Sequence, residues 1–157
     1  TKICLPVPDS QLYFAYSALL DPIRMANVAP DAEFLFSAHY AETGLVFVNA
    51  NGNGAVPSLV ESPGSTVWGG VFEISSADID SLVEQEAAEG RQPGWEHRAI
   101  DRAGNKHECV TFVCHAGEAI RAPLEDVETM SRGARHWKLP AGWVVGLEDL
   151  VEDPLFG

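Results

Sequence analysis

Short apolar segments, separated by glycine and proline, predict strands over the first two thirds of the chain. Residues 12–16 form one such segment, and residues 33–48 are long enough for two strands with a bend between them. Residues 57–61 and 66–74 predict a second pair of strands joined by a short turn, and residues 97–115 predict a hairpin around a central Gly-Asn dipeptide. The pattern favours a mostly antiparallel sheet.

Helical signals lie between and after these segments. Pro22 follows Asp21, which is typical of a helix N-cap and its first helical residue, and Pro30 ends this short helix. Pro123 marks the start of a C-terminal helix, and residues 141–151 predict a last short helix. With about six or seven short strands, these helices predict an α+β fold. The pattern alone leaves closure of the sheet into a barrel open.

Residues 75–88 predict an amphipathic helix with one acidic residue on its apolar face. Ser75 and Asp78 resemble a capping box at its start. The apolar positions, at i, i+3, i+4 and i+8, are Ile79, Leu82, Val83 and Ala87. Glu86 occupies the i+7 position that completes this face, so its carboxylate is expected to point towards the core.

A carboxylate on a buried face has two interpretations. Burial disfavours its charged form and raises its pKa, which tunes a glutamate for general acid/base catalysis. Alternatively, the helix ends at Glu86 and the side chain lies in water without a function. The sequence pattern alone does not choose between them.

Composition narrows the range of partners. The 157 residues suit a single domain over residues 1–157, and a formal charge of −13 disfavours nucleic acid and anionic membrane surfaces as partners. No apolar segment approaches the ~20 residues of a membrane-spanning helix, and no leader peptide is visible. The three cysteines are interpreted as reduced thiols of a cytoplasmic protein. A small-molecule substrate is the expected partner, and a homodimer is left open.

Other chemical signals are weak. The five histidines and the nearby cysteines lack zinc-ligand spacing, so no metal is expected. The Asn-Gly repeat at residues 51–54 predicts a turn between strands rather than a phosphate-binding loop. Ser17 lacks the GxSxG context of a nucleophile.

Several short segments, in order along nearly the whole chain, resemble the γ-glutamylcyclotransferase family. The most specific are the strand SPGSTVWGGVFE at residues 62–73 and the helix segment SLVEQE at residues 81–86. The others are LYFAYSALL at residues 12–20, DPIRMANVAPDAEF at residues 21–34, Gly133–Ala134 and Leu139–Pro140. The resemblance implies a small mixed, mostly antiparallel β-barrel flanked by helices.

The resemblance also implies a reaction. Members of the family act on a γ-glutamyl amide or amine, in which the substrate's own α-amine attacks the γ-carbonyl and releases 5-oxoproline. The family's glutamate corresponds to Glu86, which would move the proton from the α-ammonium to the leaving nitrogen. No covalent intermediate, metal or cofactor is implied, since much of the rate gain comes from holding the substrate in a near-attack geometry.

The candidate substrate loop departs from the family pattern. The family has YGSNL where this chain has Tyr16, Ser17, Ala18 and Leu19 followed by a second leucine. These four residues and Trp95, near the place of a family tyrosine, are the candidate substrate-binding residues. Loss of the glycine and the polar side chains leaves three hypotheses open. They are a γ-glutamylcyclotransferase, an enzyme using Glu86 on a less polar metabolite in lactam, amide or isomerisation chemistry, and a non-catalytic binding module.

Overall fold

A computed structural model describes residues 10–49, 54–115, 117–151 and 155–156. Its strands are β1 (Ser10–Ala15), β2 (Glu33–Asn49), β3 (Ala55–Ser75), β4 (Gln92–Pro93), β5 (Ala99–Asp101), β6 (Lys106–His107), β7 (Phe112–Val113), β8 (Ala119–Ile120) and β9 (Leu155–Phe156). Its helices are α1 (Pro22–Val28), α2 (Ser76–Ala88), α3 (Leu124–His136) and α4 (Ala141–Gly146), with 3₁₀ turns at Ala18–Leu20 and Leu147–Val151.

Two long strands, β2 and β3, form the centre of the sheet. They pair antiparallel from Glu33 opposite Glu73 to Asn49 opposite Ala55. The two strands expected in residues 33–48 are one strand, which bends at a register shift between Ala41 and Thr43. A β-bulge bends a strand without ending it, and the apolar pattern does not distinguish such a bulge from a turn.

The expected pairing of residues 57–61 with 66–74 is wrong. Both segments belong to β3 and pair with β2, so the residues between them form an outward bulge rather than a hairpin turn. The backbone N–H of Gly64 in this bulge donates to the Glu42 carboxylate over 3.0 Å. The turn expected at residues 51–54 lies outside the described residues except for Gly54.

The sheet curls, with strand order β1-β3-β2-β5-β6, and β8 and β9 pair with the other part of β2. Beyond β6 the chain returns to the free edge of β1. The N–H of Val110 donates to the Leu12 carbonyl over 2.8 Å, and the N–H of Phe14 donates to the Val110 carbonyl over 3.1 Å. The expected α+β fold, a small, mostly antiparallel β-barrel flanked by helices, is confirmed in the form of a curled antiparallel half-barrel sheet. The hairpin between β5 and β6 is also confirmed, although it is shorter than expected.

The helices begin close to their predicted positions. α1 starts at Pro22, and α3 follows Pro123 directly. The predicted last helix is divided into α4 and a 3₁₀ turn. A single large core joins the sheet to α3 and to the 3₁₀ turn after β1.

Gly133 lets α3 pack directly on the 3₁₀ turn that carries the candidate substrate loop. A Cβ at this position would overlap the backbone of Leu20 and lie 2.6 Å from the backbone nitrogen of Asp21. We expect Gly133→Ala to lower the free energy of unfolding by about 1–3 kcal/mol, because the backbone of Leu20 and Asp21 cannot move aside as a flexible side chain can. Urea unfolding measures the change. Gly142→Ala, where no atom lies within 4 Å of the added Cβ, is the matched control and should not destabilise. Equal stabilities of the two variants would contradict this packing account.

Candidate active site

Helix α2 places Glu86 in the protein interior. Its buried face runs through Asp78, Leu82 and Glu86, four residues apart. The expected apolar face was therefore partly wrong, since Val83 is 41% exposed and Ala87 faces solvent. The inward position of Glu86 is nevertheless as expected, and only 1% of the residue is exposed.

The capping box expected at the start of α2 does not form. Ser75 is the N-cap residue but makes no side-chain capping hydrogen bond. The Asp78 carboxylate instead accepts a hydrogen bond from the backbone N–H of Asp31 over 2.9 Å. This long-range partner is what allows Asp78 to be buried.

The Glu86 carboxylate accepts three hydrogen bonds. Its Oε1 accepts from Nε of Arg91 over 3.1 Å and from Nη2 of the same guanidinium over 2.8 Å. Its Oε2 accepts from the Tyr13 hydroxyl over 3.1 Å. A carboxylate offers about four acceptor directions, so one direction at Oε2 has no donor among the described residues.

Arg91 is a site residue that the sequence reasoning missed. It is 1% exposed, and its guanidinium also donates to the Pro57 carbonyl over 3.1 Å and to Glu89 over 3.0 Å. A Schellman motif brings it back to the helix end: Gly90 has a φ of 85°, and the backbone N–H of Arg91 donates to the Glu86 carbonyl over 2.9 Å. The glycine that follows the helix was the sequence signal for this arrangement.

Burial raises the pKa of Glu86 above that of an ordinary carboxyl group, and the Arg91 guanidinium and the Tyr13 hydroxyl oppose this shift. Burial and the neighbouring Glu86 raise the pKa of Tyr13 well above its usual value, so its hydroxyl stays protonated and donates. Burial alone would lower the pKa of Arg91, but Glu86, Tyr16 and Glu89 together raise it, so the guanidinium stays charged. The centre therefore contains a fixed cation and a carboxylate that titrates nearer neutrality.

The candidate substrate loop lies beside this centre. The Tyr16 hydroxyl donates to the Phe112 carbonyl over 2.6 Å, which fixes the start of the loop. Ser17 is buried, and its Oγ has no hydrogen-bond partner among the described residues. A buried hydroxyl without a partner is costly, and a ligand in the adjacent space would satisfy it.

A cavity of about 220 Å³ lies between this loop and helices α1 and α2. Ser17, Ala18 and Leu19 form one wall, and Gln85 and Glu89 form another. A groove of about 430 Å³ shares residues of α1 and α2 with the cavity and extends it outwards. Drug-sized ligands occupy pockets of about 300–1,000 Å³, so the inner cavity suits a head group of amino-acid size.

The other candidate residues are not all at the cavity wall. Glu86 is reached from the cavity through Glu89 and Arg91, which bonds to both carboxylates. Trp95 is absent from the lining and packs near Tyr40, with their ring centroids 6.5 Å apart. Its role in substrate binding stays a prediction.

A larger groove of about 880 Å³ lies between α3 and the last 3₁₀ turn and shares no residue with this cavity. Among the residues described, no group of three or more His, Cys, Asp or Glu is placed to hold a metal ion. Cys109 and Cys114 are free thiols, and burial raises the pKa of Cys109 to about 11. Cys4 lies outside the described residues. Among the helices described, none is long and apolar enough to cross a membrane.

Solved structures share this architecture. A structure named gamma-glutamyl cyclotransferase matches with a TM-score of 0.82 at 25% sequence identity, over 88% of this chain and 86% of that chain. The chain therefore has the fold of the γ-glutamylcyclotransferase-like class of α+β proteins.

Sequence comparison points to the same class. Human gamma-glutamylcyclotransferase is 28% identical over 142 residues, which cover 86% of this chain and 76% of the human protein. The mouse gamma-glutamylcyclotransferase is 29% identical over 139 residues, covering 84% and 74%. No protein-family model matches the sequence. Sequence and structure therefore both support the resemblance of this chain to the γ-glutamylcyclotransferase-like family, from which its sequence diverges.

Proposed function

We propose that this protein cyclises a γ-glutamyl compound, releasing 5-oxoproline and a free amine or amino acid, with Glu86 as general acid/base. The observation that carries the proposal is a buried carboxylate with an acceptor direction at Oε2 that no described residue fills, connected to the loop cavity through Arg91 and Glu89. The reaction needs one base that becomes an acid, and it needs no cofactor. We assign it to a single domain over residues 1–157.

The proton transfers follow from the hydrogen bonds of Glu86. Its Oε2 would accept a proton from the substrate's α-ammonium, and the amine would then attack the γ-carbonyl carbon to form the ring C–N bond. Glu86 would return the proton to the γ-amide nitrogen as the old C–N bond breaks, and the second proton lost by the ring nitrogen would pass to the released amine, which leaves as an ammonium ion. Arg91 and Tyr13 hold the carboxylate in one orientation throughout, because both donate to it.

The cavity supports a bound γ-glutamyl head group. The unpaired Ser17 hydroxyl would donate to an oxygen of the substrate, which would satisfy a buried polar atom. The outer groove between α1 and α2 gives the leaving amine a route towards solvent. Holding the α-amine near the γ-carbonyl supplies much of the rate gain, since both groups belong to one flexible substrate.

A second candidate keeps Glu86 and changes the substrate. Ala18, Leu19 and Val28 make part of the cavity wall apolar, which favours a less polar metabolite that undergoes lactam or amide chemistry or an isomerisation. This candidate predicts turnover that depends on Glu86 without release of 5-oxoproline.

A substrate panel tests the proposal. The purified protein is incubated with γ-glutamyl amines, γ-glutamyl amino acids and glutathione, and 5-oxoproline is measured by chromatography. We expect release from at least one compound and no release from its N-acetyl derivative, whose α-nitrogen is a poor nucleophile. No 5-oxoproline from any compound would refute the proposal and leave the second candidate or a binding module.

The pH dependence of the reaction should reflect the raised pKa of Glu86. The carboxylate must be ionised to accept a proton, so kcat/KM should fall as the pH drops through a value above the ordinary glutamate pKa of about 4.3. Tyr13→Phe removes a donor that favours the carboxylate, so this acidic limb should move to higher pH. A pH–rate profile of the wild type and of Tyr13→Phe locates the acidic limb of each protein. An acidic limb at the ordinary value, unmoved in Tyr13→Phe, would contradict the assignment.

A further inference from the structure

We propose that Arg91 binds the α-carboxylate of the substrate and that Glu89 occupies this binding position in the free protein. The inference rests on the proposed function and goes further, since it names the residue that selects the head group. The substrate class becomes α-amino acid derivatives with a free α-carboxylate. Compounds in which this group is amidated or esterified are excluded.

The two carboxylates bound to Arg91 differ in exposure. The Glu86 side chain is 2% exposed and takes two of the guanidinium hydrogen bonds. The Glu89 side chain is 34% exposed and takes one, from Nη2 over 3.0 Å. Partly exposed ion pairs contribute little to stability, because water competes for both charges. Glu89 is therefore the exchangeable partner of Arg91, and Glu86 is the permanent one.

Glu89 stands between Arg91 and the cavity. Glu89 lines the cavity, and its carboxylate is held by Arg91 and by Nε2 of Gln85, which donates to it over 3.0 Å. A carboxylate that enters from the cavity presents the same charge and the same two oxygens to the guanidinium. The entering carboxylate would replace that of Glu89, so Arg91 would keep two carboxylate partners while Glu89 turns outwards into solvent.

Glu86 and Arg91 together match the two charged groups of an amino-acid head group. The Schellman motif ties Arg91 to Glu86 at the backbone, so a guanidinium and a base with a free acceptor direction lie side by side. An α-amino acid carries its ammonium and its carboxylate on one carbon. The ammonium would meet Oε2 of Glu86 while the carboxylate meets Arg91, and movement of Glu89 would open this approach from the cavity.

Binding of L-glutamine and its α-carboxamide tests the inference, because glutamine is the simplest γ-glutamyl amide. Calorimetry measures both affinities for the wild type, Glu89→Gln, Asp80→Asn and Arg91→Lys. Glu89→Gln should bind glutamine about three- to tenfold more tightly, because the internal competitor is weakened. Asp80→Asn removes one charge from an exposed position on the same helix, outside the lining residues, and should leave the affinity unchanged. The carboxamide should bind at least tenfold more weakly than glutamine to the wild type.

Arg91→Lys should lose at least tenfold of the preference for glutamine over its carboxamide, since an ammonium does not reproduce the planar guanidinium fork. If Arg91→Lys fails to fold, Glu89→Gln still decides the matter. Equal glutamine affinities in Glu89→Gln and the wild type, or equal gains in Glu89→Gln and Asp80→Asn, would overturn the inference. Release of 5-oxoproline is measured separately, so a protein that binds glutamine in this way without cyclising any γ-glutamyl compound would refute only the proposed function.

Discussion

Glu86→Gln is expected to lower kcat for 5-oxoproline release by roughly 10²–10⁴-fold, the usual contribution of a general acid/base. Glutamine keeps an oxygen that accepts from Arg91 and nearly the same volume, so the cavity and the loop should persist. It cannot take a proton from the α-ammonium, and therefore the step that generates the attacking amine is lost. KM should change much less than kcat, because binding of the head group does not require proton transfer.

The control for this substitution is Asp80→Asn, which removes one negative charge from an exposed position on the same helix. It should leave kcat unchanged. Thermal unfolding of both variants shows whether the fold survives, since Glu86→Gln removes the buried anion from beside Arg91. A folded Glu86→Gln protein with the kcat of the wild type would show that another group carries the proton.

Local signals in the sequence predicted the helices and the position of the segments that form the sheet. Pro22 and Pro123 mark helix starts through a fixed backbone angle, and this effect does not depend on the rest of the fold. Strand pairing was less accessible, because residues 57–61 and 66–74 both pair with β2 rather than with each other. Pairing across a sheet depends on distant segments, which a local pattern does not identify.

For α2, the helical pattern predicted the inward position of Glu86 correctly and the rest of the buried face only in part. The pattern placed Glu86 inwards correctly, although the face it assigned included Val83, which is exposed. The face rotates because Asp78 is buried with a long-range partner, the backbone N–H of Asp31. A count of apolar positions does not identify such a partner. The buried face that it predicts is therefore shifted towards the more hydrophobic residues, relative to the face observed in the structure.

Apolar periodicity does not predict the position of Arg91. The residue lies beyond the helix, where apolar periodicity carries no information. The signal was Gly90, since a glycine after a helix often adopts the left-handed conformation that directs the next residue back to the last turn. The candidate loop was easier to find, and Ser17, Ala18 and Leu19 all line the cavity beside α2.

Arg91→Met is expected to lower the free energy of unfolding by about 3–5 kcal/mol at neutral pH, because it leaves Glu86 as a buried charge without a cation. Methionine fills much of the volume of the arginine stem, so loss of packing is a minor part of the change. The Pro57 carbonyl also loses its donor. Urea unfolding of the variant and the wild type measures the difference, which is one of the largest that a single substitution in this chain should produce.

The loss should depend on pH with a definite sign. Without Arg91 the pKa of Glu86 in the folded protein rises further above its unfolded value, because the guanidinium is one of the groups that lower it. The penalty is therefore absent below the unfolded pKa of about 4.3, grows as the pH rises, and is complete above the folded pKa. The variant should thus lie closest to the wild type at low pH. Equal losses at pH 5 and pH 8 would contradict an electrostatic origin.

Two further variants separate the buried charge from the loss of an arginine as such. Arg98→Met removes an exposed arginine whose contact with Glu108 spans 3.7 Å, and it should cause no measurable loss of stability. The double variant Glu86→Leu, Arg91→Met replaces the ion pair by apolar side chains and should regain most of the lost stability, because the desolvation cost of both charges disappears. A double variant no more stable than Arg91→Met would show instead that the hydrogen bonds of Arg91 to Pro57 and Glu89 hold the end of α2 in place.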